Sequence, residues 1–159
     1  MDRPHKTDPA THSRESRALT DLILETFRLN GALLAVGDAL VADLGLTSAR
    51  WQVLGAVALE GRALTVAQIA RRMGLTRQAV QRVVNDMVGA GLLALEDNPD
   101  HKRARLVALT RAGQAAYAEA DRRQIAWAKR LCEGLEKRDL DTALTVMRGI
   151  FRRFEGETS

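Results

Sequence analysis

The chain has 159 residues, the size of one typical domain, and its 24 Lys and Arg outnumber its 20 Asp and Glu to give a net charge of +4. This balance favours an anionic partner, and the length excludes a separate catalytic module beside a folded core. A single cysteine excludes an intramolecular disulfide framework and is typical of a reducing compartment, so we expect a cytoplasmic protein. Charged or amide side chains interrupt every apolar run, which predicts no membrane partner.

The N-terminal part of the sequence predicts a tail and two helices. Residues 1–17 are polar and predict a disordered tail. From residue 19 to residue 44 apolar side chains recur at helical spacing, which predicts a long first helix that stops at Gly45. Thr47 or Ser48 is the expected N-cap of a second helix, which ends at Gly61.

Two short helices are predicted next. Thr65 followed by Gln68 is a capping-box pattern and starts the first of them, which Gly74 ends. Thr76 is the expected N-cap of the other, in which apolar residues return at i, i+3, i+4 and i+7 as far as Gly89. Two short helices joined by a turn that contains glycine predict a helix-turn-helix.

A β-hairpin is predicted directly after the helix-turn-helix. Leu92 to Leu95 and Arg105 to Leu109 indicate two short strands, and the polar loop between them contains the turn residues Asn98, Pro99 and Asp100. A hairpin in this place forms a wing. Residues 47–110 are therefore predicted to be a winged helix-turn-helix domain that binds DNA.

The C-terminal third predicts two more helices. One runs from Arg111 to about Leu135, and the other carries an apolar stripe from Leu140 to Phe154. These helices and the first one lie outside the winged unit, so their apolar faces must be buried within one chain or between two. We expect residues 18–46 and 111–159 to form a helical dimerisation region, which makes the fold class mainly α and the protein a homodimer.

The polar side of the second helix-turn-helix helix carries side chains that recognise base edges. Arg can contact guanine O6 and N7, and Gln or Asn can pair with adenine N6 and N7 in the major groove. Between Gly61 and Asn85 there are five arginines and no Asp or Glu, which favours a nucleic-acid surface over a solvated helix face of mixed charge. Thr76 and Arg77 lie at the helix N-terminus, where free amides can bind a phosphate. The predicted DNA-binding residues of this helix are Thr76, Arg77, Gln78, Gln81, Arg82 and Asn85.

The wing carries a second group of cations, namely His101, Lys102, Arg103 and Arg105. Such a hairpin can lie along phosphates or place one side chain in the minor groove. The alternative is an exposed hairpin whose charges only prevent edge-to-edge pairing. Carboxylates also occur in the hairpin, and each is a candidate to hold an arginine by a fork-type pair: Glu96, Asp97 and Asp100.

Three segments carry a family resemblance. The helix-turn-helix contains IARRMGLTRQAV at residues 69–80, the wing contains NPDHKRA at residues 98–104, and LTRAG follows at residues 109–113. Together they resemble the MarR family of bacterial regulators, over almost the whole chain after Arg17. The wing followed by Leu-Thr-x-x-Gly is the most specific part, and the chain departs from the family at His101, where members often carry an aspartate.

The resemblance implies a dimer, built from the first and last helices, that binds a pseudo-palindromic operator, usually as a repressor released by a ligand or an oxidant. It carries the DNA contacts over to Arg77, Gln78, Gln81 and Arg82 in the helix and to Lys102, Arg103 and Arg105 in the wing. It also implies a small aromatic or phenolic effector, bound between the dimer helices and the winged domain. The pocket candidates are Phe27, Arg50 and Trp51, although Trp51 is also expected in the core.

The cysteine and the histidines are the other side chains that could serve regulation. Oxidant-sensing relatives carry their cysteine in the first helix, so we expect Cys132 to pack as a small hydrophobe, with a redox switch as the alternative. The three histidines do not converge, and neither a metal nor another cofactor is predicted.

A protein-binding module and an enzyme are the two other functional classes for a chain of this kind. A winged helix that binds protein would expose acidic or apolar side chains where this sequence places Arg, Gln and Asn. An enzyme needs a nucleophile with a base, paired carboxylates, a phosphate loop or a metal cluster, and the sequence shows none of these. The sequence thus predicts a DNA-binding transcription regulator, with the protein-binding module and a redox-responsive regulator as alternatives.

Overall fold

The computed structural model describes residues 13–157, in which the chain is mainly helical with a small antiparallel sheet, as expected. Among the described residues, those from 13 to 120 form one compact unit and those from 121 to 157 form another. The elements in chain order are α1 (Arg14–Val41), a 3-10 turn (Ala42–Leu44), α2 (Ser48–Glu60), β1 (Leu64–Thr65), α3 (Val66–Met73), α4 (Arg77–Gly89), β2 (Leu93–Glu96), β3 (Leu106–Leu109), α5 (Arg111–Leu131) and α6 (Lys137–Glu157).

Helix α1 begins earlier than the sequence predicted. Ser13 is its N-cap, and the Ser13 hydroxyl accepts a hydrogen bond from the amide of Ser16 at 3.2 Å. The pKa of Glu15 is lowered, first by its own backbone amide and then by the Ser13 hydroxyl, because both favour the carboxylate. Residues 14–17 are therefore helical and do not belong to a tail, whereas residues 1–12 lie outside the described residues. The apolar pattern missed this start because the cap and the first turn are polar.

The caps of the next three helices were predicted correctly. The Thr47 hydroxyl accepts from the amide of Arg50 at 3.3 Å. At the start of α3, Thr65 Oγ1 accepts from the Gln68 amide at 3.3 Å while Gln68 Oε1 accepts from the Thr65 amide at 2.8 Å, which completes the capping box. Thr76 caps α4. Each of these caps satisfies an amide that the helix itself leaves unpaired.

The sheet has three strands instead of the two predicted, in the order β1-β3-β2. Strands β2 and β3 form the wing hairpin, and β1 pairs with the other edge of β3 through Leu64 opposite Val107. Both of these side chains are fully buried. The sequence did not reveal β1 because two residues are too few to show the alternation that marks a strand.

The core of the first unit fixes the helix-turn-helix against the sheet. Its largest fully buried side chains come from α2, α3, α4 and the strands, with one from α1: Leu54, Leu64, Ile69, Met87, Val41, Val53, Val80, Val84 and Val107. Trp51 is half-buried and packs against this cluster, as expected of a core aromatic.

The Leu-Thr-x-x-Gly segment joins the wing to α5. Thr110 Oγ1 donates to the carbonyl of Gly91 at 2.7 Å and accepts from the amide of Gly113 at 3.1 Å, while the Thr110 amide donates to the carbonyl of Leu92 at 3.2 Å. Gly113 is buried, and a Cβ there would overlap the carbonyl oxygen of Leu92. The segment thus ties the start of α5 to the backbone that enters β2.

In the second unit, α5 ends at Leu131 instead of near Leu135, and Gly134 with a φ of +80° turns the chain before α6. Glycine adopts this left-handed conformation without the steric cost that a Cβ brings. Cys132 lies in this turn, where it is exposed and donates its thiol proton to the carbonyl of Lys129 at 3.3 Å. The expectation that Cys132 packs as a hydrophobe is therefore wrong.

Within residues 13–157, no single helix is long and apolar enough to cross a bilayer. The segments Arg14–Leu44 and Ser48–Glu60, which are bent by 82° relative to each other, meet the length and composition criteria only as a pair.

Candidate DNA-binding surface

Helix α4 has one buried side and one exposed side. Val80, Val84 and Met87 are fully buried and anchor the helix in the core. The predicted base-contacting and phosphate-contacting residues are all exposed: Thr76, Arg77, Gln78, Gln81, Arg82 and Asn85. The structure therefore places these six side chains on solvent-facing positions of one element, and it leaves their contacts with DNA as a prediction.

The N-terminus of α4 combines a cap with a cation. Thr76 Oγ1 accepts from the amide of Ala79 at 3.2 Å, so the hydroxyl proton can still be donated to a ligand. Arg77 follows as the first helical residue and is exposed. A phosphate at this helix end would meet a cation, free amides and the positive end of the helix dipole.

Two amides on the exposed side of α4 are joined to each other. Gln81 Nε2 donates to Asn85 Oδ1 at 2.8 Å, a distance typical of a good hydrogen bond. The residues are four apart, so they are neighbours on the helix surface. Sequence reasoning treated them as two separate contacts, although their i, i+4 spacing was the available signal for a pair.

The five arginines between residues 61 and 85 are not equivalent. Glu60, the residue just before this stretch, pairs with Arg62 at 2.8 Å and also forms an ion pair with Arg72. Partial burial acts to raise the pKa of Glu60, but the hydrogen bond and charge of Arg72, together with Arg62, lower it overall. The carboxylate thus links the end of α2 to the end of α3.

The other three arginines of this stretch are exposed, namely Arg71, Arg77 and Arg82. Within residues 13–157 none of them forms an ion pair. A phosphate can therefore approach them without first displacing a carboxylate. Sequence reasoning counted all five alike because Glu60 lies one residue outside the acid-free stretch.

The wing is held by hydrogen bonds between side chains and the backbone. The side chain of Asn98 is buried, and it donates to the carbonyl of Ala104 at 2.8 Å and accepts from the amide of Asp100 at 3.1 Å. Arg105 Nη2 donates to the carbonyl of Leu95 at 2.7 Å, which ties the two arms of the hairpin together. These contacts hold the loop in a compact turn.

The predicted wing cations His101, Lys102, Arg103 and Arg105 are all exposed. In the part of the chain that the structure describes, no ion pair joins them to a wing carboxylate. The candidate fork-type pair with Glu96, Asp97 or Asp100 is therefore not formed. Arg105 is held by a backbone carbonyl instead, and the charges at the tip face solvent.

The three predicted pocket residues do not meet within one chain. Trp51 lies beside Gly37 of α1, whereas Phe27 is ten residues earlier on α1, about 15 Å along the helix axis. Phe27 is 69% exposed, and Arg50 Nη1 donates to the carbonyl of Gly45 at 3.1 Å. These positions leave the pocket as a prediction.

An open pocket of about 360 Å³ occurs elsewhere in the first unit, between the end of α2, β3 and the start of α5. It is lined by Val57, Ala58, Gly61, Arg62, Ala63, Ala108, Leu109, Gln114 and Tyr117. Its volume is at the lower end of the range of small-molecule sites. None of the three predicted pocket residues lines it.

The chain is similar in sequence to one family model and to a mycobacterial protein. The family model described as the MarR family matches residues 44–104. An uncharacterised protein of Mycobacterium tuberculosis is 41% identical over 138 residues, which cover 87% of this chain and 92% of the relative.

Two solved structures show the same fold. A MarR/EmrR family transcriptional regulator from Acinetobacter sp. ADP1 has a TM-score of 0.77 and 20% identity, with coverage of 86% of this chain and 96% of that one. CouR from Rhodococcus jostii RHA1, solved bound to p-coumaroyl-CoA, has a TM-score of 0.69 and 23% identity, with coverage of 84% and 91%. The winged helix-turn-helix fold is shared with these two structures, and the range matched by the family model contains the helix-turn-helix and the first strand of the wing, so the chain belongs to the MarR family.

Proposed function

We propose that the chain is a sequence-specific DNA-binding repressor that acts as a homodimer on a pseudo-palindromic operator. The observation that carries this proposal is the exposed side of α4, where Gln78, Gln81 and Asn85 alternate with Arg77 and Arg82. Guanidinium and amide groups on a helix that fits the major groove are the groups that recognise base edges. A protein-binding helix is expected to expose acidic or apolar side chains in place of these three amides.

The dimer part of the proposal rests on apolar surface. Helix α1 exposes large hydrophobic side chains along most of its length and on more than one side: Leu19, Ile23, Leu24, Phe27, Leu29, Leu33, Leu34 and Val36. In the second unit, α6 exposes Leu140, Leu144, Met147, Phe151 and Phe154, whose spacings alternate between four and three residues as in a coiled-coil seam. Exposed apolar surface of this extent is rare on monomeric proteins, and a second copy of the chain would bury it.

The repressor is proposed to be released by a small aromatic effector. The support is the likeness to CouR, whose structure contains p-coumaroyl-CoA. A ligand releases a repressor only if it binds the DNA-incompetent conformation more tightly than the DNA-bound one. The effector would therefore compete with operator DNA in a binding titration, and a ligand that tightened operator binding would contradict release.

The DNA-binding proposal is tested by selecting sites from a random duplex pool with the purified full chain. We expect an approximately palindromic motif, with half-sites about one helical turn apart. Arg82→Ala should lower affinity for that motif by about 1–3 kcal/mol and relax the preference at one base pair. Arg138→Ala removes the same charge from the second unit and should leave both quantities unchanged. Failure to enrich any motif would contradict sequence-specific binding.

The dimer proposal is tested by placing a charge among the exposed apolar side chains of α1. Leu24 is 56% exposed in the single chain, and Leu24→Glu should dissociate the dimer because a carboxylate is costly to bury without a partner. Leu59→Glu is the matched control, since Leu59 is 83% exposed on α2, outside the proposed interface. Sedimentation equilibrium measures both. A Leu24→Glu variant that stays dimeric, or a wild-type monomer, would contradict the proposed interface.

A further inference from the structure

The hydrogen bond between Gln81 and Asn85 restricts what each amide can offer a ligand. A free glutamine amide rotates broadly about its last torsion, so either its oxygen or its nitrogen can face a given partner. Here Gln81 Nε2 donates to Asn85 Oδ1 at 2.8 Å, and Asn85 Oδ1 can only accept. In this arrangement the Gln81 amide turns its nitrogen toward Asn85, so Oε1 takes no part in the bond.

The groups that remain on Gln81 form a donor–acceptor pair. Nε2 carries two protons, of which one is committed to Asn85, and Oε1 keeps its acceptor sites. A neighbouring donor and acceptor on one amide match adenine, which offers N7 as an acceptor and N6 as a donor in the major groove. Guanine offers two acceptors at the same edge, so it would leave Oε1 facing another acceptor.

The order of the two residues along α4 assigns their roles. In helix-turn-helix proteins the N-terminal part of the recognition helix contacts the base edges. Gln81 lies one turn nearer to that end than Asn85, and both side chains are exposed. We infer that Gln81 contacts adenine directly and that Asn85 is a positioning residue, which orients the Gln81 amide and so sets the adenine preference at one operator base pair.

This inference rests on the proposed DNA-binding function, and the test separates the two. Site selection is carried out with the wild type, Gln81→Ala, Asn85→Ala, the double variant and Asn85→Asp, which keeps an acceptor oxygen for Gln81. Because both positions are exposed and alanine favours helix, all variants should fold, and thermal unfolding verifies this. Affinities for the selected duplex and for its adenine-to-guanine variant are then measured by fluorescence anisotropy.

We expect Gln81→Ala to reduce the adenine-over-guanine preference at one base pair by roughly 5- to 150-fold. Asn85→Ala should reduce the preference at the same base pair, and the double variant should be no worse than Gln81→Ala, as for two residues that act as a unit. Asn85→Asp should keep the preference while its charge weakens binding to all duplexes alike.

Three results would overturn the inference. Loss of preference at a different base pair in Asn85→Ala, with additive losses in the double variant, would make Asn85 an independent base contact. An Asn85→Ala variant that binds every duplex equally more weakly would make Asn85 a structural residue only. A wild type that binds duplexes in a salt-dependent way without enriching a motif would refute both the sequence-specific function and this inference.

Discussion

Substitution of Gly113 by alanine tests whether the Leu-Thr-x-x-Gly segment is structural. An alanine Cβ at this buried position would overlap the Leu92 carbonyl oxygen and lie 3.1 Å from the Leu92 carbonyl carbon. The obstructing atoms are backbone, which cannot rotate away as a side-chain tip can. The same carbonyl accepts the Thr110 amide at 3.2 Å, so moving it also weakens that hydrogen bond.

The expected loss is at the upper end of the overpacking range, about 3 kcal/mol in the free energy of unfolding. For a chain of this length such a loss lowers Tm by about 6–12 °C. Thermal unfolding followed by circular dichroism measures it, at one fixed protomer concentration because a dimer's Tm depends on concentration. Gly89→Ala is the control: nothing lies within 4 Å of its added Cβ, and α4 should gain up to about 1 kcal/mol there.

A Gly113→Ala variant that unfolds within about 2 °C of the wild type would contradict a structural role for Gly113. A variant that keeps its Tm but loses affinity for DNA would do the same, since Gly113 would then act at the DNA surface and not through the Leu92 backbone.

Three further predictions follow from the charged groups. Glu60→Gln should free Arg62 and Arg72 from their ion pairs and steepen the dependence of log affinity on log salt by up to about 1.8 per subunit for any duplex. Glu25→Gln on α1 removes an equal charge and should leave that slope unchanged. Lys102→Ala should weaken binding to every duplex alike and reduce that slope by about 0.9 per subunit, as measured by anisotropy titrations at several salt concentrations. The pKa of Asp38 lies below its ordinary value of 3.8, first because the backbone amide of Ser48 donates to the carboxylate. The ionised carboxylate therefore stabilises the folded state fully above pH 3.8, and this stabilisation is lost as the pH falls through the lower pKa of the folded state. The difference in urea midpoint between wild type and Asp38→Asn should accordingly shrink at acidic pH, and a difference independent of pH would contradict this linkage.

The features predicted best from the sequence depend on partners a few residues away. The Thr65 and Gln68 capping box joins residues three apart, so both halves of the interaction are visible in a short window. The caps at Thr47 and Thr76 are of the same kind. Amphipathic spacing likewise reveals which side of α4 is buried, because helical geometry alone sets that period.

The features that the sequence did not reveal depend on distant partners or on polar ends. Strand β1 exists because Leu64 pairs with Val107, and no local pattern in two residues predicts that pairing. The charge of the arginine-rich stretch was overestimated because Arg72 is partnered across the fold by Glu60. A charge count within a window misses any partner outside it, which is why the structure was needed to separate paired from exposed arginines.

The Leu-Thr-x-x-Gly segment of the family resemblance is explained by packing and not by DNA recognition. Thr110 and Gly113 are bound to the backbone that enters β2, so the fold itself restricts these positions to a hydroxyl and to glycine. Gln81 and Arg82 are exposed, and the core places no such restriction on them. Proteins can therefore share the segment that identifies the family while differing in the residues that contact bases. It follows that the operator of this protein must be derived from its own α4 surface, starting with the Gln81 amide and its orientation by Asn85.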